Sequence, residues 1–218
     1  MSGLRERNRT DRTGRILASA AALFRAEGYD GAKIEAIAAH AGVSVGTIYN
    51  YYRNKGDVLV AIVSMEVNEV LNAGRKVVEK PPLDVGDAIN TLVGIYLNHS
   101  QFYLDKAMWR QAIAISISQP DSPFGQTYTA LDRLLADQIC TLIARLQELG
   151  LVRAEVDARA AGEMVFNNTN MMFIEFLKDA SAKPDTMHVM LRRQNRVLVG
   201  AIAAPSTPPP PARSEIPS

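Results

Sequence analysis

The stretch from Lys33 to Lys55 constrains the fold more than any other part of this chain. Its first half places small and apolar residues at the three- and four-residue spacing of one helix face, and these are Ile34, Ile37, Ala38 and Ala41. Gly42 follows at a position where glycine ends a helix by adopting the left-handed conformation. Ser44 can then cap a second helix, which we expect to run to about Tyr52. Two short helices joined at a glycine predict a helix-turn-helix, whose second helix enters the DNA major groove.

The second helix of this motif has an open N-terminal side built from small and polar residues. Ile48 is the natural inward anchor, and the outward positions are Val45, Gly46, Thr47, Tyr49 and Asn50. Thr47 and Tyr49 offer hydroxyl groups to phosphates or bases, and Asn50 can make a bidentate contact with adenine. Lys55 lies at the start of the following helix, where we expect its ammonium group and the helix N-terminus to meet one phosphate.

The same region resembles the N-terminal domain of the tetracycline-repressor (TetR) family of bacterial transcription regulators. The resemblance covers roughly residues 10 to 63, with many positions agreeing in order and without gaps. The matching residues are Gly28-Tyr29, Ile37-Ala38, Ala41 to Ser44, Gly46 to Tyr49, Tyr51-Tyr52, Asn54-Lys55 and Leu59. The resemblance implies an all-α fold, with a three-helix DNA-binding domain before a larger helical domain for ligand binding and dimerisation. It also implies that Ser44 and Tyr51 belong to the DNA-binding surface.

Two residues depart from the pattern of that family. Lys33 stands where a threonine normally caps the second helix and touches a phosphate, and we interpret it as a substitute phosphate contact. Val45 stands where a lysine is common, and its methyl groups suit the methyl group of thymine. Both departures concern which operator sequence is bound.

The composition is typical of a soluble protein. The charge distribution is typical of a protein whose N-terminal part binds an anionic partner. The chain has 218 residues, of which 47% are hydrophobic and 22% charged, and no stretch is long and apolar enough to cross a bilayer. The N-terminus has no apolar signal region, and the single cysteine cannot form an intrachain disulfide, so we expect a cytoplasmic protein. Cys140 is expected in the core, with a redox-sensing thiol as the alternative. Residues 1–56 carry a net charge of +4, whereas residues 57–218 carry −3.

Helical periodicity continues along the rest of the chain and defines four segments. Residues 1–10 are predicted to form a flexible basic arm that reaches DNA or is simply solvated. Residues 11–56 form the DNA-binding domain, which begins with a helix from Asp11 to Glu27. Residues 57–203 form the second domain, entered by a link helix that ends before Pro81. In residues 106–118, large apolar residues alternate with small ones at every second position, which is the pattern of a strand. A single strand would have no neighbouring strand to pair with, so we predict a helix there. The Pro-rich residues 204–218 are predicted to be disordered.

The helix predicted from Asp157 to Leu177 is apolar on more than one side, which indicates burial on both. In the family that the chain resembles, the last two helices of each chain form a four-helix dimer interface, so we expect a homodimer. The residues expected at that interface are Met164, Asn168, Met172, Met190, Val197 and Leu198. A dimer would present two recognition helices about 34 to 36 Å apart on a palindromic operator.

Aromatic and amide side chains of the second domain are candidates for binding a small, mainly apolar effector. The resemblance places the region around Trp109 at a ligand cavity, and the candidate residues are Phe102, Trp109, Tyr128, Phe166, Asn167, Asn170 and Phe173. The same aromatic residues at helical spacing are also typical of an ordinary core. The asparagines equally suit a structural amide network between helices.

The sequence gives little support to catalysis and predicts neither a cofactor nor a metal. The three histidines are far apart, and none has a second ligand at metal-binding spacing. We therefore expect a dimeric repressor that a ligand releases from DNA. One alternative is a constitutive architectural DNA-binding protein with a solid second domain. The other is a helical enzyme or binding protein whose helix-turn-helix pattern is accidental, and which has no affinity for DNA even at low salt.

Overall fold

The computed structural model describes residues 2–205, and this part of the chain is built from helices. Their bounds are α1 Ser2–Gly31, α2 Ile34–Ala41, α3 Val45–Tyr49, α4 Lys55–Glu79, α5 Val85–His99, α6 Lys106–Ser118, α7 Pro123–Glu148, α8 Ala158–Lys178 and α9 Pro184–Ile202. Within residues 2–205, the only extended pairing is an isolated antiparallel bridge between Val152 and Ala203. The predicted all-α class is confirmed, including the helix at 106–118. The Pro-rich tail prediction lies outside the described residues, apart from its first two positions.

Helix α1 is longer than its sequence pattern predicted. The predicted start at Asp11 is too late, because residues 2–10 are helical rather than an irregular arm. Extending a helix that already exists fixes only one residue for each new hydrogen bond, and the arginines and glutamate of this segment have high helix propensity. At the other end, Gly28 interrupts the helical geometry with φ 75° and ψ 162°, close to the predicted stop.

Helix α3 is shorter than predicted. It ends at Tyr49 rather than about Tyr52, although turn-type hydrogen bonds continue from the amides of Tyr51 and Tyr52 to the carbonyl of Ile48. Asn54 then caps α4, its side-chain oxygen accepting a hydrogen bond from the amide of Asp57 at 2.9 Å. The change from helix to turn to cap takes place within a few residues, so α4 begins directly behind the helix-turn-helix.

Helix α4 joins the two halves of the molecule. It packs against α1 at one end, and against α5 and α7 along its length. The buried side chains form one continuous cluster from Ile16 in α1 to Ile202 in α9. The predicted boundary between two domains at residue 56 therefore remains a prediction, since the hydrophobic core does not divide there.

Two glycines allow helices of the second half to approach closely. A Cβ at Gly74 of α4 would lie 2.7 Å from a methyl group of Leu92 and would also meet the side chain of Gln138. A Cβ at Gly162 of α8 would lie 2.6 to 2.7 Å from the Cα, N and Sγ atoms of Cys140 in α7. Because real Cβ atoms do not make contacts this short, α7 and α8 can approach this closely at residue 162 only because it is a glycine.

Helix α7 is the most extensively packed helix of the second half, since it contacts α4, α5, α6 and α8. A glycine closes its C-terminal end: Gly150 has φ 72°, and the amide of Leu151 donates to the carbonyl of Leu146. Of the helices in the described part of the chain, none has the length and apolar character needed to cross a membrane.

Candidate nucleic-acid interface and internal cavity

The turn between α2 and α3 has the geometry that the sequence predicted. Gly42 is in the left-handed conformation at φ 64° and ψ 40°, and the amide of Val43 donates to the carbonyl of Ala38 at 3.0 Å. The Ser44 hydroxyl accepts a hydrogen bond from the amide of Thr47 at 3.1 Å, which caps α3. These contacts fix the direction in which α3 leaves the turn, so the turn presents the N-terminal side of α3 outward.

Helix α3 is anchored on one side and open on the other. Ile48 is fully buried, whereas Gly46 and Asn50 are exposed and Tyr49 is 51% exposed. Val45 and Thr47 are half-buried, and the Thr47 hydroxyl lies 2.8 Å from that of Ser44. The open side therefore carries hydroxyl, amide and backbone groups within reach of a nucleic acid.

Tyr51, the other aromatic residue predicted to face DNA, is half-buried beside α1. The guanidinium of Arg9 lies 5.8 Å from the centre of its ring, at the outer limit of a cation–π contact. The Tyr52 ring lies on the other side, 6.3 Å away between centroids. The basic N-terminal part of α1 thus reaches the residues that follow the recognition helix.

The two lysines predicted to contact phosphates have different environments. Lys33 is exposed at the start of α2, and its side chain makes no capping hydrogen bond there. Lys55 instead donates to the carbonyls of Asp30 and Ala32, both at 3.1 Å, and its ammonium group lies 4.6 Å from the centre of the Tyr29 ring. These contacts give Lys55 a role in holding the end of α1 against the start of α4, and its contact with a phosphate stays a prediction.

Glutamine substitutions at these lysines should separate a stabilising role from a DNA-binding role. Lys55→Gln should lower the free energy of unfolding by about 1 to 2 kcal/mol, since two charge-assisted hydrogen bonds are lost. Lys33→Gln should leave stability within about 0.5 kcal/mol and reduce the salt dependence of DNA affinity by about one phosphate contact. Urea denaturation and DNA titrations at several salt concentrations measure both effects, and the reverse pattern would contradict these assignments.

An internal cavity of about 80 Å³ lies between α4, α5, α6, α7 and α8. Five of the seven predicted ligand-binding residues line it: Trp109, Tyr128, Phe166, Asn170 and Phe173. Phe102 does not, because it is 65% exposed on the loop after α5 and packs on Tyr103 instead. Asn167 is exposed, because helical geometry turns it away from the face that carries Phe166 and Asn170.

The aromatic wall of the cavity is held in place by specific contacts. The indole N–H of Trp109 donates to the carbonyl of Ser100, and its ring meets the Phe173 ring edge-on with centroids 5.4 Å apart. Tyr96 of α5 also lines the cavity and donates its hydroxyl hydrogen to Gln138 at 2.7 Å. Burial raises the pKa of both Tyr96 and Tyr128 well above the usual value for a phenol.

Two carboxyl groups that the sequence analysis missed also face the cavity. Glu66 of α4 is only 2% exposed, and one of its carboxyl oxygens, Oε1, lies 2.6 Å from Nδ1 of His99. Its other oxygen, Oε2, is buried and has no hydrogen-bond partner within residues 2–205. Asp132 of α7 lies in the same wall, and burial raises its pKa to about 7. Burial likewise raises the pKa of Glu66, although the contact with His99 and a hydrogen bond from the backbone of Tyr103 oppose this.

A polar cluster connects this wall to the helix-turn-helix. The ring nitrogens of His99 lie 2.6 Å from Glu66 and 3.2 Å from Glu69, and the Tyr103 hydroxyl donates to Glu69 at 2.8 Å. Arg25 of α1 donates to the backbone carbonyls of Phe102 and Tyr103 at 3.0 and 3.2 Å. The loop between α5 and α6 therefore contacts both the cavity wall and the first helix of the DNA-binding unit.

The residues predicted at a dimer interface lie on the outer faces of α8 and α9. Met164, Met190 and Val197 are exposed, and Val197 has 78% of its surface accessible. Asn168, Met172 and Leu198 are half-buried beside them. Met171 and Val189, which the sequence analysis did not select, are exposed on the same two helices. These residues, all apolar except Asn168, are defined here as the α8–α9 face.

This geometry defines a helix-turn-helix DNA-binding protein with an internal cavity in its second half. Residues 16–62 match the family of bacterial regulatory proteins described as the tetR family. Residues 16–62 therefore form the N-terminal domain of the TetR family. It is 24% identical over 186 residues to the HTH-type transcriptional repressor KstR of Rhodococcus jostii, a match that covers 80% of this chain and 87% of KstR.

Solved structures share the fold and differ in what they bind. FadR from Bacillus subtilis, in complex with stearoyl-CoA, is similar with a TM-score of 0.66 and 17% identity, over 86% of this chain and 98% of FadR. A transcriptional regulator from Saccharomonospora viridis, in complex with choline, has a TM-score of 0.67 and 20% identity, over 90% of this chain and all of that one. One of these ligands is an acyl thioester and the other a quaternary ammonium ion, so the shared fold does not determine the ligand.

Proposed function

We propose that this protein is a cytoplasmic, dimeric repressor that binds a palindromic operator and is released by a small, mainly apolar effector, without catalytic activity. The observation that carries the proposal is the course of α4, which begins directly behind α3 and lines the cavity with Val63, Glu66, Val67 and Val70. One helix thus touches both the DNA-binding unit and the candidate effector site. The architectural alternative requires a solid second half, and the cavity favours a ligand-responsive regulator instead.

The proposed mechanism is a shift between two conformations. An effector that prefers one arrangement of α4 and the α5–α6 loop would move Arg25, which donates to that loop, and with it the helix-turn-helix. DNA would prefer the other arrangement, because it requires a fixed distance between two recognition helices. Ligand and DNA then oppose each other by a coupling free energy of about 1 to 3 kcal/mol.

Selection of duplexes from a random-sequence library tests the DNA-binding part of the proposal. We expect enrichment of a sequence with two-fold symmetry, since each subunit of a dimer reads one half-site. Thr47→Ala and Tyr49→Phe should each weaken binding to the enriched duplex about fivefold to 30-fold in mobility-shift titrations, because each removes one hydroxyl contact worth about 1 to 2 kcal/mol.

The control for these variants is Thr127→Ala. The Thr127 hydroxyl donates to the carbonyl of Pro123 within α7 and lies far along the chain from α3, so its loss should leave DNA affinity unchanged. Absence of any enriched sequence, together with absence of binding at 50 mM salt, would contradict the proposed function, because phosphate contacts are strongest at low salt.

A further inference from the structure

The cavity contains an acidic group whose hydrogen-bonding capacity is only half used. Glu66 is 98% removed from solvent, and its Oε1 lies 2.6 Å from Nδ1 of His99. The backbone N–H of Tyr103 also stabilises the charged carboxyl group, but Oε2 has no donor at hydrogen-bond geometry in the described part of the chain. A buried carboxylate oxygen without a donor destabilises the fold unless a ligand supplies one. Because Glu66 lines the cavity, the missing donor can come from a molecule bound there.

A second acidic group stands in the same wall. Asp132 is contributed by α7, and within residues 2–205 its carboxyl group makes no hydrogen bond or ion pair. Its pKa is raised by burial, with no nearby cation to oppose that effect. Two carboxyl groups from different helices therefore face one cavity, and no lysine, arginine or histidine lines that cavity.

The remaining lining favours positive charge as well. The described residues that line the cavity include no lysine, arginine or histidine, and His99 lies behind Glu66 between two glutamates. The aromatic members of the wall are Tyr96, Trp109, Tyr128, Phe166 and Phe173. Aromatic faces attract cations through their quadrupole, and this attraction increases where water is excluded.

These features discriminate between classes of ligand. A carboxylate or phosphate placed in this space would meet two acidic groups and no compensating base, which is costly in a low-dielectric site. A hydrocarbon would leave Oε2 of Glu66 without a donor. A protonated amine on an apolar body would supply that donor, neutralise the acidic wall and contact the aromatic rings.

We propose that the ligand of this cavity is an organic cation, a protonated amine attached to an apolar body, whose ammonium group binds Glu66 with Asp132 as the second acidic group of the site. The proposal rests on the proposed function in that it identifies the chemical class of the effector. Binding to the protein does not require DNA, so the two can be tested separately.

The test compares ligands that share a skeleton and differ in charge. We would titrate the full-length protein by calorimetry with 2-phenylethylamine, 2-phenylethanol and 3-phenylpropanoate, and then with octylamine, octanol and octanoate. The amine of at least one skeleton should bind at least tenfold more tightly than its alcohol and its carboxylate. Equal or tighter binding of the alcohol or carboxylate in both sets, or no binding by either amine, would overturn the proposal.

Variants that remove one acidic group from the cavity test whether the amine binds there. Glu66→Gln should weaken the binding amine at least tenfold and change the affinity of the matching alcohol less than threefold. The control is Glu69→Gln, which removes the same charge from the same helix and also contacts His99, but does not line the cavity. Should Glu66→Gln fail to fold, Asp132→Asn provides the same comparison. An unchanged amine affinity in the folded variant would overturn the assignment.

A mobility-shift titration on the selected duplex separates this inference from the proposed function. Release of DNA by the amine, but not by its alcohol, supports both. An amine that binds the cavity and leaves DNA affinity unchanged supports the cation site and contradicts the effector mechanism. If a carboxylate releases the DNA and the amine does not, the result supports the proposed ligand-responsive regulator and overturns the proposed cation site.

Discussion

A Val197→Asp variant should be monomeric at concentrations where the unaltered protein forms the proposed dimer, and should lose most of its operator affinity. Val197 has 78% of its surface accessible on α9, so the substitution costs little in an isolated chain. In a two-fold dimer the same substitution places two carboxylates in one apolar interface. Burying charges without partners costs several kcal/mol, so we expect dimerisation to weaken by about 100-fold or more.

Sedimentation equilibrium and mobility-shift titrations measure these two losses. Operator affinity should fall with dimerisation, because a monomer binds one half-site and loses the advantage of linked binding. Ile117→Asp is the matched control, since Ile117 is 72% exposed but lies at the end of α6, away from the α8–α9 face. Equal effects of the two substitutions, or a Val197→Asp protein that remains dimeric, would contradict the proposed interface.

An Asp132→Asn variant should change how stability depends on pH. In the unfolded chain this carboxyl releases its proton near pH 4, whereas in the folded chain burial raises its pKa to about 7. The folded state therefore holds the proton more tightly, and this contribution to stability is full below about pH 4 and is lost as pH rises to about 7. Asparagine does not titrate, so between pH 4 and 8 the difference in unfolding free energy should shift by about 2 to 4 kcal/mol in favour of the variant.

Urea denaturation at several pH values between 4 and 8 measures this shift. Asp121→Asn provides a control, because Asp121 is exposed in the turn before α7 and its side chain makes no hydrogen bond in the described structure. Its stability profile should follow that of the unaltered protein. A constant difference between Asp132→Asn and the unaltered protein across this range would show that Asp132 is not a buried acid.

The helices could be predicted from sequence because their signals are local. Asn54, Asp84, Ser122 and Asp157 each place a side-chain oxygen on a backbone amide of the helix that follows, and Gly42 and Gly150 end helices in the left-handed conformation. Such caps and glycine ends depend on residues close in sequence, which is why a sequence can predict them. The start of α1 could not, because residues 2–10 carry no apolar stripe and helix propagation alone extends α1 to Ser2.

The candidate sites depended on long-range contacts that a sequence shows poorly. The Lys55 ammonium group is held by carbonyls of Asp30 and Ala32, and only the folded chain reveals that those groups are near. The burial of Glu66 could have been predicted from the sequence, since it falls on the same helix face as Ile62, Val63 and Val70, which are all buried. An acidic residue on a core stripe is rarely buried without a reason, and this one faces the cavity.

The close contact between α7 and α8 at Gly162 places the Cys140 thiol where its reactivity can report the separation of these two helices. The Cys140 thiol is enclosed where α7 presses on α8, and it donates to the carbonyl of Arg159. Burial raises the pKa of this thiol and so reduces the reactive thiolate. Since only 8% of the surface of Cys140 is exposed, an alkylating reagent should react faster when the two helices separate, and the rate of alkylation should report that motion. Both helices also line the cavity, and a ligand that tightens them should slow the labelling of this one sulfur atom.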